Sequence, residues 1–175
     1  MANFDFLKQY VITDEDIDEQ YEEVQRMKHS FLPVDPIRIS QAEEKLGFPL
    51  PKELKEFYTE IGYGYMYQVQ ESQHNTFMYP LDVADAYLRT GEYDNNFLSS
   101  TGLYDEPYKL LFYDAMEGCF AWMDLRESKA TSTVYYIGED DKIADSLEDF
   151  LRAYDVNPNL LKEFSAASRK NRPQT

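Results

Sequence analysis

The chain has 175 residues, enough for one domain that buries about two-thirds of its unfolded surface without a metal or disulfide staple. Its 33 acids against 17 bases give a formal net charge of −16. That charge excludes most of the surface as a site for nucleic acid or an anionic membrane, because both need lysine and arginine to displace counterions. With 15 Tyr, 11 Phe and 43% hydrophobic residues the chain is not a disordered acidic tail, and its single cysteine, Cys119, rules out an internal disulfide.

Residues 14–27 predict a helix. Ile17, Tyr21 and Val24 make one apolar stripe, while Asp14, Glu15, Asp16, Asp18, Glu19, Glu22 and Glu23 crowd the opposite face. Pro33 and Pro36 then break the chain. Ser40-Gln-Ala-Glu43 reads as a capping box opening a short helix with Ile39, Ala42 and Leu46 inward, and Gly47 suits its left-handed end. Pro51 suits the first turn of the next helix, in which Leu50, Leu54, Phe57 and Ile61 repeat on one face and Gly62 is the stop. Strands are expected at 63–69 and 76–79, a helix at 81–88 stopped by Gly91, and a loop over 92–107. The clearest β signal is 108–114, 119–125 and 132–137, three apolar runs with short links that predict an antiparallel meander. Ser146 caps a helix with Ile143, Leu147, Phe150, Leu151 and Tyr154 as its apolar face, and residues 158–167 form a last helix before a frayed basic end. The order indicates a single α+β domain with a central, mostly antiparallel sheet flanked by helices.

Catalytic and metal motifs are weak. His29 and His74 have no ligand spacing with Cys119, and Asp14-x-Asp16-x-Asp18 departs from a calcium loop at Glu19 and Gln25. Cys119 lies beside Glu117, away from a base. Gly62-x-Gly64 lacks the third glycine of a dinucleotide loop. Among the carboxylates, Asp114 and Asp124 stand out for their place beside the aromatic hairpin, which leaves a hydrolase as a minor alternative. No catalytic, cofactor-binding or metal-ligating residue is assigned. The N-terminus lacks the basic and apolar regions of a signal peptide, and no apolar run reaches membrane-span length, so a cytoplasmic location is expected.

Four motifs occur in order. They are Ile39-Ser-Gln-Ala-Glu43-Lys-Leu-Gly47-Phe-Pro-Leu50-Pro51-Lys-Glu-Leu-Lys-Glu-Phe57-Tyr-Thr-Glu-Ile-Gly62-Tyr-Gly64, then Met78-Tyr-Pro-Leu81, then Leu110-Leu-Phe-Tyr-Asp114-Ala-Met-Glu-Gly118-Cys-Phe-Ala-Trp122-Met-Asp124, then Ser146-Leu-Glu-Asp-Phe-Leu151. Together they resemble the SUKH superfamily over about residues 36–154. Tyr63, Cys119 and Leu147 stand where that pattern often has glycine, aspartate and an aromatic. The resemblance implies an α+β fold and, for many bacterial members, a non-enzymatic immunity role: binding and neutralising a polymorphic toxin, commonly a nuclease. Fungal relatives imply the alternative of an intracellular interaction or scaffold module. The division that follows is an acidic helical extension (1–35), a SUKH-like domain (36–155) and a C-terminal helix with a basic tail (156–175).

The charge adds a physical reason, since a surface this negative speeds encounter with a cationic protein, and nuclease domains are often basic. A cationic toxin or nuclease domain encoded nearby is therefore the expected partner. The expected contact residues are Asp14, Glu15, Asp18, Glu19 and Glu22 with Glu139, Asp140 and Asp141. Ten tyrosines, among them Tyr63, Tyr65 and Tyr79, cannot all bury their hydroxyls cheaply, so some belong at the surface, where tyrosine favours protein contacts.

Overall fold

Prolines and caps set the helix starts. In the computed structural model, which describes residues 2–13, 21–67, 75–94, 102, 104–116, 119–126, 132–136 and 142–171, a 3-10 helix (Asp5–Tyr10) is followed by α1 (Tyr21–Arg26), α2 (Pro36–Leu46) and α3 (Lys52–Glu60). Helix α2 begins earlier than the Ser40 capping box predicts. Asp35 is the cap, accepting the Ile37 amide at 2.9 Å, and Pro36 fills the first helical position. An Asp-Pro start outcompetes an internal serine, so Ser40 lies within the helix and donates to the Pro36 carbonyl at 3.3 Å. Gly47 closes α2 in the left-handed region at φ +79°, as expected.

Helix α4 (Pro80–Leu88) ends at Arg89, a left-handed residue at φ 56°, rather than at Gly91. The Arg89 guanidinium accounts for this exception by donating to the Ala86 and Tyr104 carbonyls. Gly91–Tyr93 forms a 3-10 turn within the region expected to be a loop. Ser146 caps α5 (Leu147–Val156), accepting the Asp149 amide at 3.0 Å. Helix α6 (Leu160–Asn171) continues beyond the predicted fraying point.

Seven strands make one sheet in sequence order, β1 (His29–Leu32), β2 (Tyr63–Met66), β3 (Thr76–Phe77), β4 (Lys109–Met116), β5 (Cys119–Asp124), β6 (Val134–Tyr136) and β7 (Lys142–Ala144). Each ladder between neighbouring strands is antiparallel. The meander of β4, β5 and β6 matches the expectation, while β1 and β7 were not anticipated. Ile143 therefore belongs to β7 and not to the helix that follows. A bulge between Leu111 and Tyr113 lets both Phe112 and Tyr113 reach the Phe150 ring, at 6.1 and 5.8 Å between centroids.

Helices α3 and α5 cover one face of the sheet. Phe57 of α3 stacks on Phe77 at 4.0 Å and meets Phe31 edge-on, while Phe150 and Tyr154 of α5 pack against Tyr113. Phe4 of the 3-10 helix joins the same layer against Phe57. Burying each such ring contributes about 1.5–3 kcal/mol. The first residues are tied to α5 on this side. The Asn3 amide donates to Glu148, and Arg152 donates to the Asn3 carbonyl.

Candidate interaction surface

The motif residues first show what they are not. Leu50 and Phe57 are core, Pro51 precedes α3, and Gly62 and Gly64 hold φ +117° and +148° where β2 approaches β1. Glu43 does not cap its own helix. It accepts the Leu50 amide at 3.1 Å and grips Lys55 at 2.9 Å, fixing the turn between α2 and α3. Trp122, 1% exposed, stacks on Tyr135 at 4.4 Å with the Lys109 ammonium 5.2 Å above its ring. Gly118 lies outside the described residues. These positions build a scaffold, and their side chains are already occupied by the fold.

Asp124 illustrates the point. It is buried on β5 and accepts Arg126 through both oxygens, with the shortest contact 2.6 Å from Nη2. Burial raises its carboxyl, but the Arg126 hydrogen bonds outweigh this and hold it below the usual carboxylate range. The Arg126 guanidinium rests 3.6 Å above the Tyr108 ring centroid. An open groove of about 430 Å³ between Phe48, Pro49, Pro51, Tyr87 and Pro107 has Asp124 in its wall, and that acid is already paired with Arg126. Asp114 pairs with Phe120 and Asp124 with Lys109, at opposite ends of the hairpin. Four strand positions separate them, roughly 13 Å, so the structure does not bring them together as an acid–base pair.

A second cluster escaped the sequence reading. His29 is fully buried, with Nε2 2.8 Å from Asp155 Oδ1 and Nδ1 accepting the Tyr67 amide at 3.2 Å. An accepting Nδ1 carries no proton, so the ring is neutral with its hydrogen on Nε2. Tyr10 and Tyr67 pack edge-on to it, and Lys28 donates to both the Asp155 carboxylate and its carbonyl at 2.6 Å. Tyr67 sits in the left-handed region at φ 54°, a cost of about 1–2 kcal/mol for a bulky residue. Its hydroxyl is held by the Tyr154 carbonyl at 2.7 Å and by the Asp155 carbonyl. The cluster clamps β1, β2 and the end of α5. It contains an Asp–His pair but nothing placed as a nucleophile.

Burial lowers the proton affinity of His29, Lys28 lowers it further, and Asp155 only partly opposes them. The unfolded chain therefore takes up a proton near pH ~6.5 that the folded chain refuses. Stability from this site is present above that pH and is lost as pH falls below it. Burial pushes the Asp155 carboxyl up, yet the bonds from Lys28 and His29 hold it below the usual range, so its contribution disappears only at lower pH still. Thermal unfolding between pH 7.5 and 5 is expected to show a falling midpoint, with a slope of up to about 1.4 kcal/mol per pH unit from His29. His29→Gln should start less stable and lose that part of the slope; an unchanged slope would show that His29 is not held neutral.

The opposite face of the sheet is different over β1–β4. The register places Ser30, Tyr65, Thr76 and Asp114 in one row across it. Tyr65 is 51% exposed there, beside half-buried Leu32 and Tyr63, and Tyr63 meets Tyr79 edge-on at 4.8 Å. Asp82 and Asp85 belong to α4 and Glu92 to the 3-10 turn that follows it. Burial raises the Asp82 carboxyl, and Asp85 and Glu92 raise it further. The Tyr93 hydroxyl is pushed up to about 12 by burial and by the charges of Asp82, Asp114, Glu92 and Asp85. The four carboxylates acting on this hydroxyl come from α4, the 3-10 turn and β4.

Of the expected contact residues, Asp14, Glu15, Asp18, Glu19, Glu139, Asp140 and Asp141 lie outside the described residues. Glu22 is exposed on α1 and pairs with Arg26 at 3.3 Å. Among the described residues no group of three His, Cys, Asp or Glu side chains could hold a metal ion. None of the described helices is long and apolar enough to cross a membrane.

A sequential antiparallel sheet backed by helices, with its motif residues spent on turns and core, defines a scaffold of the SUKH type. The SMI1 / KNR4 family (SUKH-1) matches residues 33–153, and the chain belongs to that family. It is also similar to the immunity protein YxxD of Bacillus subtilis (strain 168), with 33% identity over 132 residues, 74% of this chain and 86% of that protein.

Proposed function

We propose that this chain is an immunity protein that binds and neutralises a cognate toxin domain in the cytoplasm, and that the toxin is a cationic protein of the nuclease class. The observation that carries the reading is the kinship to an immunity protein over 86% of that relative's length. The physical chemistry agrees with it. A net charge of −16 attracts a basic partner and lets the chain compete with nucleic acid for a basic active-site face. The motif residues carry structure, which leaves function to the surface. The chain acts by occupying its partner and turns nothing over.

Co-expression tests this directly. Cells producing the toxin domain encoded beside the gene are expected to survive only with this protein present, and the two should co-purify at 1:1 stoichiometry. Survival without co-purification, or no rescue at all, would sink the proposal. Nuclease activity of the purified toxin domain, measured with and without the chain, tests the toxin class.

A further inference from the structure

We infer that His29 is a proton-operated catch: on taking up a proton at Nδ1 it expels the Tyr67 amide, and Tyr67 leaves both its left-handed conformation and its hydroxyl contacts with α5 while the His29–Asp155 pair stays closed. The inference concerns the chain alone and is independent of the immunity reading.

The geometry decides which partner gives way. His29 is fully buried on β1, where its Nδ1 accepts the Tyr67 amide at 3.2 Å and its Nε2 donates to Asp155 Oδ1 at 2.8 Å. A proton on Nδ1 turns that acceptor into a donor and sets it against another donor. The bond from Nε2 strengthens instead, because an imidazolium then faces a carboxylate. The remaining groups around the ring are Tyr10 of the 3-10 helix and Tyr67 itself, both edge-on at 4.7 and 4.9 Å, and Lys28, which donates to the same Asp155 Oδ1 at 2.6 Å. Tyr154 of α5 packs on the Tyr67 ring at 5.4 Å between centroids. Burial and the Lys28 ammonium oppose the proton and Asp155 favours it, with burial the largest influence, so the catch is closed at neutral pH and opens in acid.

Tyr67 is the residue poised to move. It holds φ 54°, where a bulky side chain stays only under constraint. Its amide is held by His29, its hydroxyl by the Tyr154 and Asp155 carbonyls, and its ring lies 5.3 Å below the Lys28 ammonium. Losing the first of these leaves the backbone strain working against the others. The release stops there, because Met66 stays in register with His29 and its amide donates to the Asn75 carbonyl at 2.9 Å.

Nuclear magnetic resonance of the full chain between pH 7.5 and 5 tests this, reading the His29 ring nitrogens and the exchange protection factor of the Tyr67 amide. At neutral pH the ring is expected to be neutral with its proton on Nε2. As it titrates, Tyr67 protection should fall about tenfold or more, while that of the β4 and β5 amides changes less than about threefold. His29→Gln carries an acceptor that does not titrate and should hold Tyr67 protection level across the range. Tyr67→Phe keeps the amide and the ring but loses the hydroxyl contacts, so its opening should move up by about half a pH unit or more. The inference is overturned by Tyr67 protection that stays level while the ring titrates, by a loss shared equally with β4 and β5, by a ring that remains neutral down to pH 5, or by a Tyr67→Phe opening at the wild-type pH.

Discussion

Replacing Gly64 with alanine is expected to destabilise the fold by about 4 kcal/mol or more, placing it among the severe single substitutions. An added Cβ would lie 2.2 Å from the Ser30 carbonyl oxygen and 3.0 Å from the Phe31 Cα. Both are backbone atoms of β1, so no side chain can swing aside. The φ of +148° adds strain that L residues rarely tolerate. Gly62→Ala meets the Leu32 carbonyl at 1.9 Å and should behave the same way. Gly47→Ala is the control. It also sits at positive φ, but nothing lies within 4 Å of its added Cβ, so its cost is the conformational one alone, about 1 kcal/mol. Denaturant titration of the three variants separates the effects. If Gly64→Ala and Gly47→Ala lose the same amount, the tight approach of β2 to β1 is not what the glycine serves.

Removing the Glu53 carboxylate is the second large effect. Glu53 is buried on α3 and accepts the Leu147 amide at 2.9 Å, at the first turn of α5. A second backbone bond comes from Ser132. Burial pushes its carboxyl up, and these two amides pull against that rise. The residue thus links α3, the entry to β6 and the positive end of the α5 dipole. Glu53→Ala would leave two buried donors without a partner. Its expected cost is about 3 kcal/mol, which for a chain of this size lowers the melting temperature by roughly 10 °C. Glu53→Gln keeps an accepting oxygen and should cost about 1 kcal/mol. Near-equal melting temperatures for the alanine variant and the wild type would contradict the role.

Legibility of the sequence followed the length and punctuation of each element. Helix α3 was readable because Pro51 and Gly62 bracket a long apolar stripe, and the β4–β5 hairpin because its two runs are rich in aromatics. Strand β1 was not, because four residues closed by Pro33 are too few to display a period of two. Strand β7 has three residues, and Ile143 fitted the helical stripe of α5 equally well. Glu43 was assigned to a capping box because its spacing from Ser40 fits; its actual partners, Leu50 and Lys55, depend on a turn that the spacing cannot specify. The His29 cluster was illegible for a deeper reason. Its members come from β1, the residue after β2 and α5, and meet only through long-range packing, with His29 and Asp155 126 positions apart. The surface reading fared in between. Composition announced surplus tyrosines and acids, and the strand register then set Tyr65 and Asp114 in one row.

The tie between the first residues and α5 has a consequence for how the molecule matures. Each strand pairs with the one made just before it, so the sheet can be laid down in order as the polypeptide leaves the ribosome. Asn3, Lys28 and His29 must wait, because Glu148, Arg152 and Asp155 are synthesised near the end. Helix α5 therefore acts as a latch on the finished product: a nascent chain halted before residue 148 can already seat Phe4 against Phe57 but has none of the partners that α5 gives to Asn3, Lys28 and His29.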